Sequence, residues 1–179
     1  GLDEQFISSL LELIEKIRDD ISVPIKVMIR PRGGGFCYSL SDLKEIQNQI
    51  QVFKSIGIKH IVCGILKKNN RVNIDSFKKI SDISHPMKIT FHKAIDKSID
   101  FFNDIEALVR TNRLDSLLTS GQANSAAEGS ETIKKVVNIF GGNIKVIAAG
   151  KITSTNLINI HEKIGGKYYH GRKILGNLN

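Results

Sequence analysis

The chain has 179 residues, 41% hydrophobic and 25% charged, values that fit a soluble globular fold with a sizeable core. No apolar run approaches the roughly 20 residues of a membrane-spanning helix, and Gly1-Leu2-Asp3-Glu4-Gln5 lacks the basic end and apolar stretch of a secretory signal. The net charge of +8 comes from lysines spread along helical stretches with no basic cluster interleaved with aromatics, which argues against a nucleic-acid partner. Two well-separated cysteines, Cys37 and Cys63, exclude a disulfide scaffold and point to reduced thiols and a cytoplasmic location.

The periodicity predicts a helix over residues 6–19 and then a β-rich run over residues 23–30. Residues 39–56 read as a helix, with Ser41 as N-cap, Leu43, Ile46, Ile50 and Phe53 at helical spacing, and Gly57 as the stop. A strand over 60–66, a polar turn over 67–70 and a short helix over 75–84 follow, the helix closed by His85-Pro86. Further strands are expected over 88–93, 114–121, 144–150 and, more weakly, 168–171. Helices are expected over 98–111, 126–140 and 154–164.

Strands alternating with amphipathic helices imply parallel βαβ units. Two α/β architectures fit, an open doubly wound sheet and a closed barrel. Gly33-Gly34-Gly35 lacks the spacing of a dinucleotide-binding turn, and no acidic residue ends the next strand, so no organic cofactor is expected. Arg30, Arg32, His92, Ser120, Gln122 and His170 all fall at strand C-termini or just past them, the face on which barrels carry their sites. The expectation is therefore a TIM (β/α)8-type barrel, with residues 1–179 a single, incomplete barrel domain. Six βα units are visible where eight close the sheet; the first two strands are expected before Gly1 or from a partner.

Met28-Ile29-Arg30-Pro31-Arg32-Gly33-Gly34 with Phe36-Cys37-Tyr38-Ser39 resembles the third strand and loop of the CutC family. Thr90-Phe91-His92-Lys93-Ala94-Ile95-Asp96 is similar to that family's T-F-H-R-A-F-D. Leu118-Thr119-Ser120-Gly121-Gln122, with Glu128-Gly129 downstream, is similar to its L-T-S-G-Q. Gly64-Ile65-Leu66 and Asn73-Ile74-Asp75 match a weaker segment, and the likeness runs from about Gly1 to His170. The resemblance implies a cytosolic protein of copper homeostasis that handles copper ion. It departs at Ala148-Ala149-Gly150-Lys151, where the family has more glycines, and at the end, where His170 alone is kept. The family's first two strands, with their cysteine-bearing segments, have no counterpart here.

The residues themselves leave several chemistries open. Arginine forks bind carboxylate or phosphate, so Arg30 and Arg32 are either an anion clamp or ion-pair partners of Asp96 or Glu128. His92 and Thr90 share a strand face. If that face is inward, His92 is a candidate catalytic base or metal ligand, and otherwise a histidine satisfied by a carbonyl or by Asp96. His170 reaches the same rim from another strand. Ser120, Gly121 and Gln122 form a polar turn that either orients a ligand or caps a loop. Cys37 and Cys63 suit Cu(I) as soft ligands but are not spaced as a local motif, and buried cysteine is usually inert. A harder metal on His92, Asp96 and His170 is the other metal option. Three functions follow: copper handling; an enzyme acting on a small anionic phosphate or carbonyl substrate at the mouth; and a dimeric or otherwise homo-oligomeric structural protein. None of these readings includes an identified catalytic constellation or a membrane partner.

Overall fold

The computed structural model describes residues 12–14, 16–17 and 23–176. The helix expected over residues 6–19 lies largely outside them; the described part is helical, and Ile14 is buried. Six strands follow in one sheet: β1 (Val27–Met28), β2 (His60–Cys63), β3 (Lys88–Phe91), β4 (Ser116–Thr119), β5 (Lys145–Ala149) and β6 (Tyr168–His170). All pairs are parallel, and the strand order is the chain order. A doubly wound sheet needs a reversal of that order. The unbroken progression here is instead the stave pattern of a barrel wall, and six staves make a half-barrel with β1 and β6 at its edges.

Five α-helices connect and cover the strands: α1 (Leu40–Ser55), α2 (Ile74–Ser84), α3 (Phe101–Val109), α4 (Ser130–Phe140) and α5 (Leu157–Ile164). The strand residues turned toward the helices, Ile61, Ile89, Leu117 and Val146, are almost fully buried, together with Ile50, Phe77, Ile105, Ile133 and Val136 of the helices. The alternate strand residues face the other way. Met28, Val62, Thr90, Leu118 and Ile147 line a groove of about 560 Å³ along the concave face. No described helix is long and apolar enough to cross a membrane.

Several element boundaries differ from the sequence expectation, each for a local hydrogen-bonding reason. The cap of α1 is Ser39, not Ser41: Ser39 Oγ accepts the Asp42 N–H while the Asp42 carboxylate accepts the Ser39 N–H, a reciprocal box that Ser41 lacks the spacing to make. The helix expected over 98–111 starts later, as α3 at Phe101, and a 3-10 helix, Lys93–Lys97, precedes it. Ser98 separates them because its hydroxyl bonds the buried Asp104, which also accepts from Arg71 Nε and the Val72 N–H. The start of α4 moves from Ala126 to Ser130, since the Ala126 N–H is committed to the Gly150 carbonyl. Likewise α5 starts at Leu157 because the Ser154 N–H bonds Lys173.

Candidate functional site

The C-terminal ends of the strands are built around one carboxylate. β3 runs into His92, whose ring Nδ1 accepts the Ala94 N–H at 3.1 Å and so caps the 3-10 helix. That helix delivers Asp96, 7% exposed at its side chain, to the end of β4. Asp96 Oδ1 accepts from the Thr119 hydroxyl and from the Gln122 N–H at 3.1 Å, and Oδ2 accepts the Ser120 N–H at 3.0 Å. The Ser120 hydroxyl shares its one proton between Asp96 Oδ2 and the Ala123 carbonyl. The amides converge because Gly121 and Gln122 both take left-handed backbone, φ +68° and +61°. Gln122 Nε2 donates to the Ser98 carbonyl at 2.7 Å. A Cβ on Gly129 would lie 1.9 Å from the Ser120 carbonyl oxygen, so the downstream glycine lets two backbones touch. The structure thus brings Ser120, Gly121 and Gln122 together as a turn whose polar groups are spent on Asp96 and Ser98.

Neither arginine makes the expected ion pair with Asp96 or Glu128. Arg32 pairs with Asp42 at 3.0 Å, not with Asp96 or Glu128, and donates to the carbonyls of Gly33 and Cys37. Its guanidinium therefore holds its own loop, and it stacks on Tyr38. Arg30 spends Nη2 on the Gly34 carbonyl and lies 4.9 Å from the centroid of Phe36. Phe36 in turn packs against His92, centroids 5.0 Å apart.

His92 does turn inward and is 4% exposed, its ring filling the space over Gly64, where a Cβ would meet the ring at 2.5 Å. Its partner is neither a carbonyl nor Asp96 but the Ala94 amide. Burial, and then the nearby Arg30 charge, push its pKa down to about 4 against a partial offset from a hydrogen bond with its own main chain, so the ring is neutral. Nδ1 accepts the hydrogen bond from the Ala94 N–H, so the ring's own proton resides on Nε2. That Nε2 is buried without a partner, as is the Tyr38 hydroxyl. A buried donor left unpaired costs about 1–3 kcal/mol. Placing alanine at Gly64 is expected to eject the ring from this position; loss of the His92–Phe36 ring contact, followed by aromatic chemical shifts in NMR, would register it, and unchanged shifts would contradict it.

A second polar group, passed over in the sequence, lies on the concave face toward the strand N-termini. His60 Nε2 and Thr90 Oγ1 are 2.8 Å apart, and Thr90 Oγ1 and Ser116 Oγ 2.6 Å, a chain across β2, β3 and β4. Asp115 sits 3.8 Å from His60 and accepts from Lys145 at 3.2 Å. Burial raises the Asp115 pKa, but Lys145 and His60 outweigh it and hold the carboxyl below its ordinary value. The signal available was that His60, Lys88, Ser116 and Lys145 each open a strand.

Burial and the Lys26 charge push His60, like His92, down to about 4. The unfolded chain takes up protons near pH 6.5, before the folded one. Stability from these rings is therefore whole above about pH 6.5 and drains as the pH falls toward 4, by no more than about 3 kcal/mol per ring. Urea unfolding at pH 7.5 and 4.5 is expected to show the loss, and His60→Gln to shrink it; an equal loss in that variant would acquit His60.

His170 ends β6 exposed and lines the concave groove with Lys26, Thr90 and Tyr168. Among the described residues no group of three or more His, Cys, Asp or Glu is placed to hold a metal, so the set His92, Asp96 and His170 does not form one. Cys63 is wholly buried, and burial pushes its thiol up to about 12, far from a thiolate. His92 offers copper no lone pair at Nε2 in its present tautomer. Cys37, half-buried and outside any disulfide in the loop after β1, is the remaining thiol. The described residues do not fit a resident copper centre. Alkylation with iodoacetamide is expected to label Cys37 well before Cys63; comparable rates would contradict the burial of Cys63.

The CutC family model matches residues 2–175. A human protein named copper homeostasis protein cutC homolog is 32% identical over 95% of this chain and 62% of its own length. Its mouse counterpart is 31% identical over the same shares. The chain thus spans less than two thirds of these relatives. The crystal structure of a CutC protein from Streptococcus agalactiae superposes with a TM-score of 0.86 at 25% identity, covering 93% of this chain and 80% of that one.

Proposed function

Since the chain belongs to the CutC family, we propose that its role lies in copper homeostasis, with Cu(I) as cargo and not as a built-in cofactor. The observation that carries this reading is the family match over residues 2–175, joined to the names of the human and mouse relatives. The two thiols are unpaired, in keeping with a reducing, cytoplasmic setting. Cys37 is the accessible thiol within the described residues through which a Cu(I) ion would make contact, beside the mouth of the half-barrel.

Anaerobic competition against a chromophoric Cu(I) chelator tests the point of contact. The expected result is that Cys37→Ser weakens Cu(I) uptake at least tenfold and Cys63→Ser leaves it unchanged. Uptake that survives Cys37→Ser would remove that residue from the path of the ion.

A further inference from the structure

The mouth also carries an arrangement that copper does not use. Two buried donors end there without acceptors, Nε2–H of His92 and the hydroxyl of Tyr38. Their neighbourhood is short of negative charge. Asp96 is occupied by Thr119, Ser120 and Gln122, and Asp42 by Arg32 and the cap of α1. Arg30 stands over the Phe36 ring that packs against His92, and four of its five N–H groups remain outside the bond to Gly34. Three donors and no acceptor form the chemistry of an oxyanion site, and the neutral ring suits it, since Nε2–H donates to an oxygen where a metal would need a lone pair.

We propose that the mouth of the half-barrel, under the loop of residues 31–38, binds a small oxyanion, a carboxylate or a phosphate, with His92 Nε2–H and Tyr38 Oη–H as donors and Arg30 as the countercharge. The proposal is independent of the copper reading. It also separates Arg30, which is free to meet a ligand, from Arg32, which the loop consumes.

Tyr38→Phe is the discriminating variant. It removes a hydroxyl that has no partner in the free protein, so the melting temperature is expected to hold or rise while anion affinity falls. Long-range 1H–15N NMR of the full chain, titrated with inorganic phosphate and separately with acetate, reads the His92 ring directly. The expected result is an Nε2–H tautomer in the free protein and a saturable shift with at least one of the two anions, the responsive one fixing the ligand class. Arg30→Gln and Tyr38→Phe are each expected to weaken it at least fivefold. An Nδ1–H tautomer, no saturable shift with either anion, or full affinity in both variants would overturn the proposal.

Discussion

Asp96→Ala is expected to lower the unfolding free energy by about 3–5 kcal/mol, among the largest effects of any single side chain here. The carboxylate accepts from the Thr119 hydroxyl and from the N–H groups of Ser120 and Gln122, and Lys93 lies 4.0 Å away. Removing it leaves the buried Ser120 amide and the exposed Gln122 amide without their acceptor. The left-handed pair Gly121 and Gln122 then loses what holds it. Asp96→Asn keeps the size and one acceptor but turns an NH2 toward donors, so it is expected to fall between the parent and alanine. Chemical denaturation of the three proteins gives the order; an Asp96→Ala protein within 1 kcal/mol or so of the parent would show that the turn holds itself.

Gly129→Ala is the second large effect, and it acts through backbone contact alone. The added methyl would lie 1.9 Å from the Ser120 carbonyl oxygen and 2.9 Å from its carbon, atoms that cannot swing aside as a side chain can. The turn carrying Ser120 must move, and with it the amides aimed at Asp96, so a loss of at least about 3 kcal/mol is expected. Gly142→Ala is the matched control, because a Cβ there meets nothing within 4 Å. Thermal melts should separate the two widely; coincident melts would mean that the close approach of Gly129 to Ser120 is not a constraint.

These two positions also show what could be read from the chain and what could not. The alternation of apolar runs with helical spacing located all six strands, because burial against the helices demands apolar residues such as Ile61, Ile89, Leu117 and Val146. Boundaries slipped where a side chain competed for a backbone group, as Ser39 did at α1 and Ser98 before α3, and where a distant carbonyl took an N–H, as at Ala126 and Ser154. The polar residues at strand ends were visible, but whether each was already partnered was not. Satisfaction depends on contacts across many residues: Asp96 reaches Ser120, Arg32 reaches Asp42, and Gln122 reaches Ser98. Hence Ser120 and Gln122, read as either ligand contacts or a loop cap, have partners within the fold, whereas Tyr38, quoted in the sequence only as part of a loop motif, carries an open hydroxyl. His60 escaped notice because a histidine opening an apolar run has no local motif; its role emerges only when Thr90 and Ser116 arrive beside it.

The copper assignment is tested most directly in the cell. Copper content, measured by mass spectrometry across graded external copper, would be compared between the parent organism, a strain lacking this gene and that strain carrying the whole gene again. The predicted result is a shift in copper content and copper tolerance on deletion, reversed when the gene is restored. Identical copper content and tolerance in all three strains at every copper level would contradict a role in copper homeostasis.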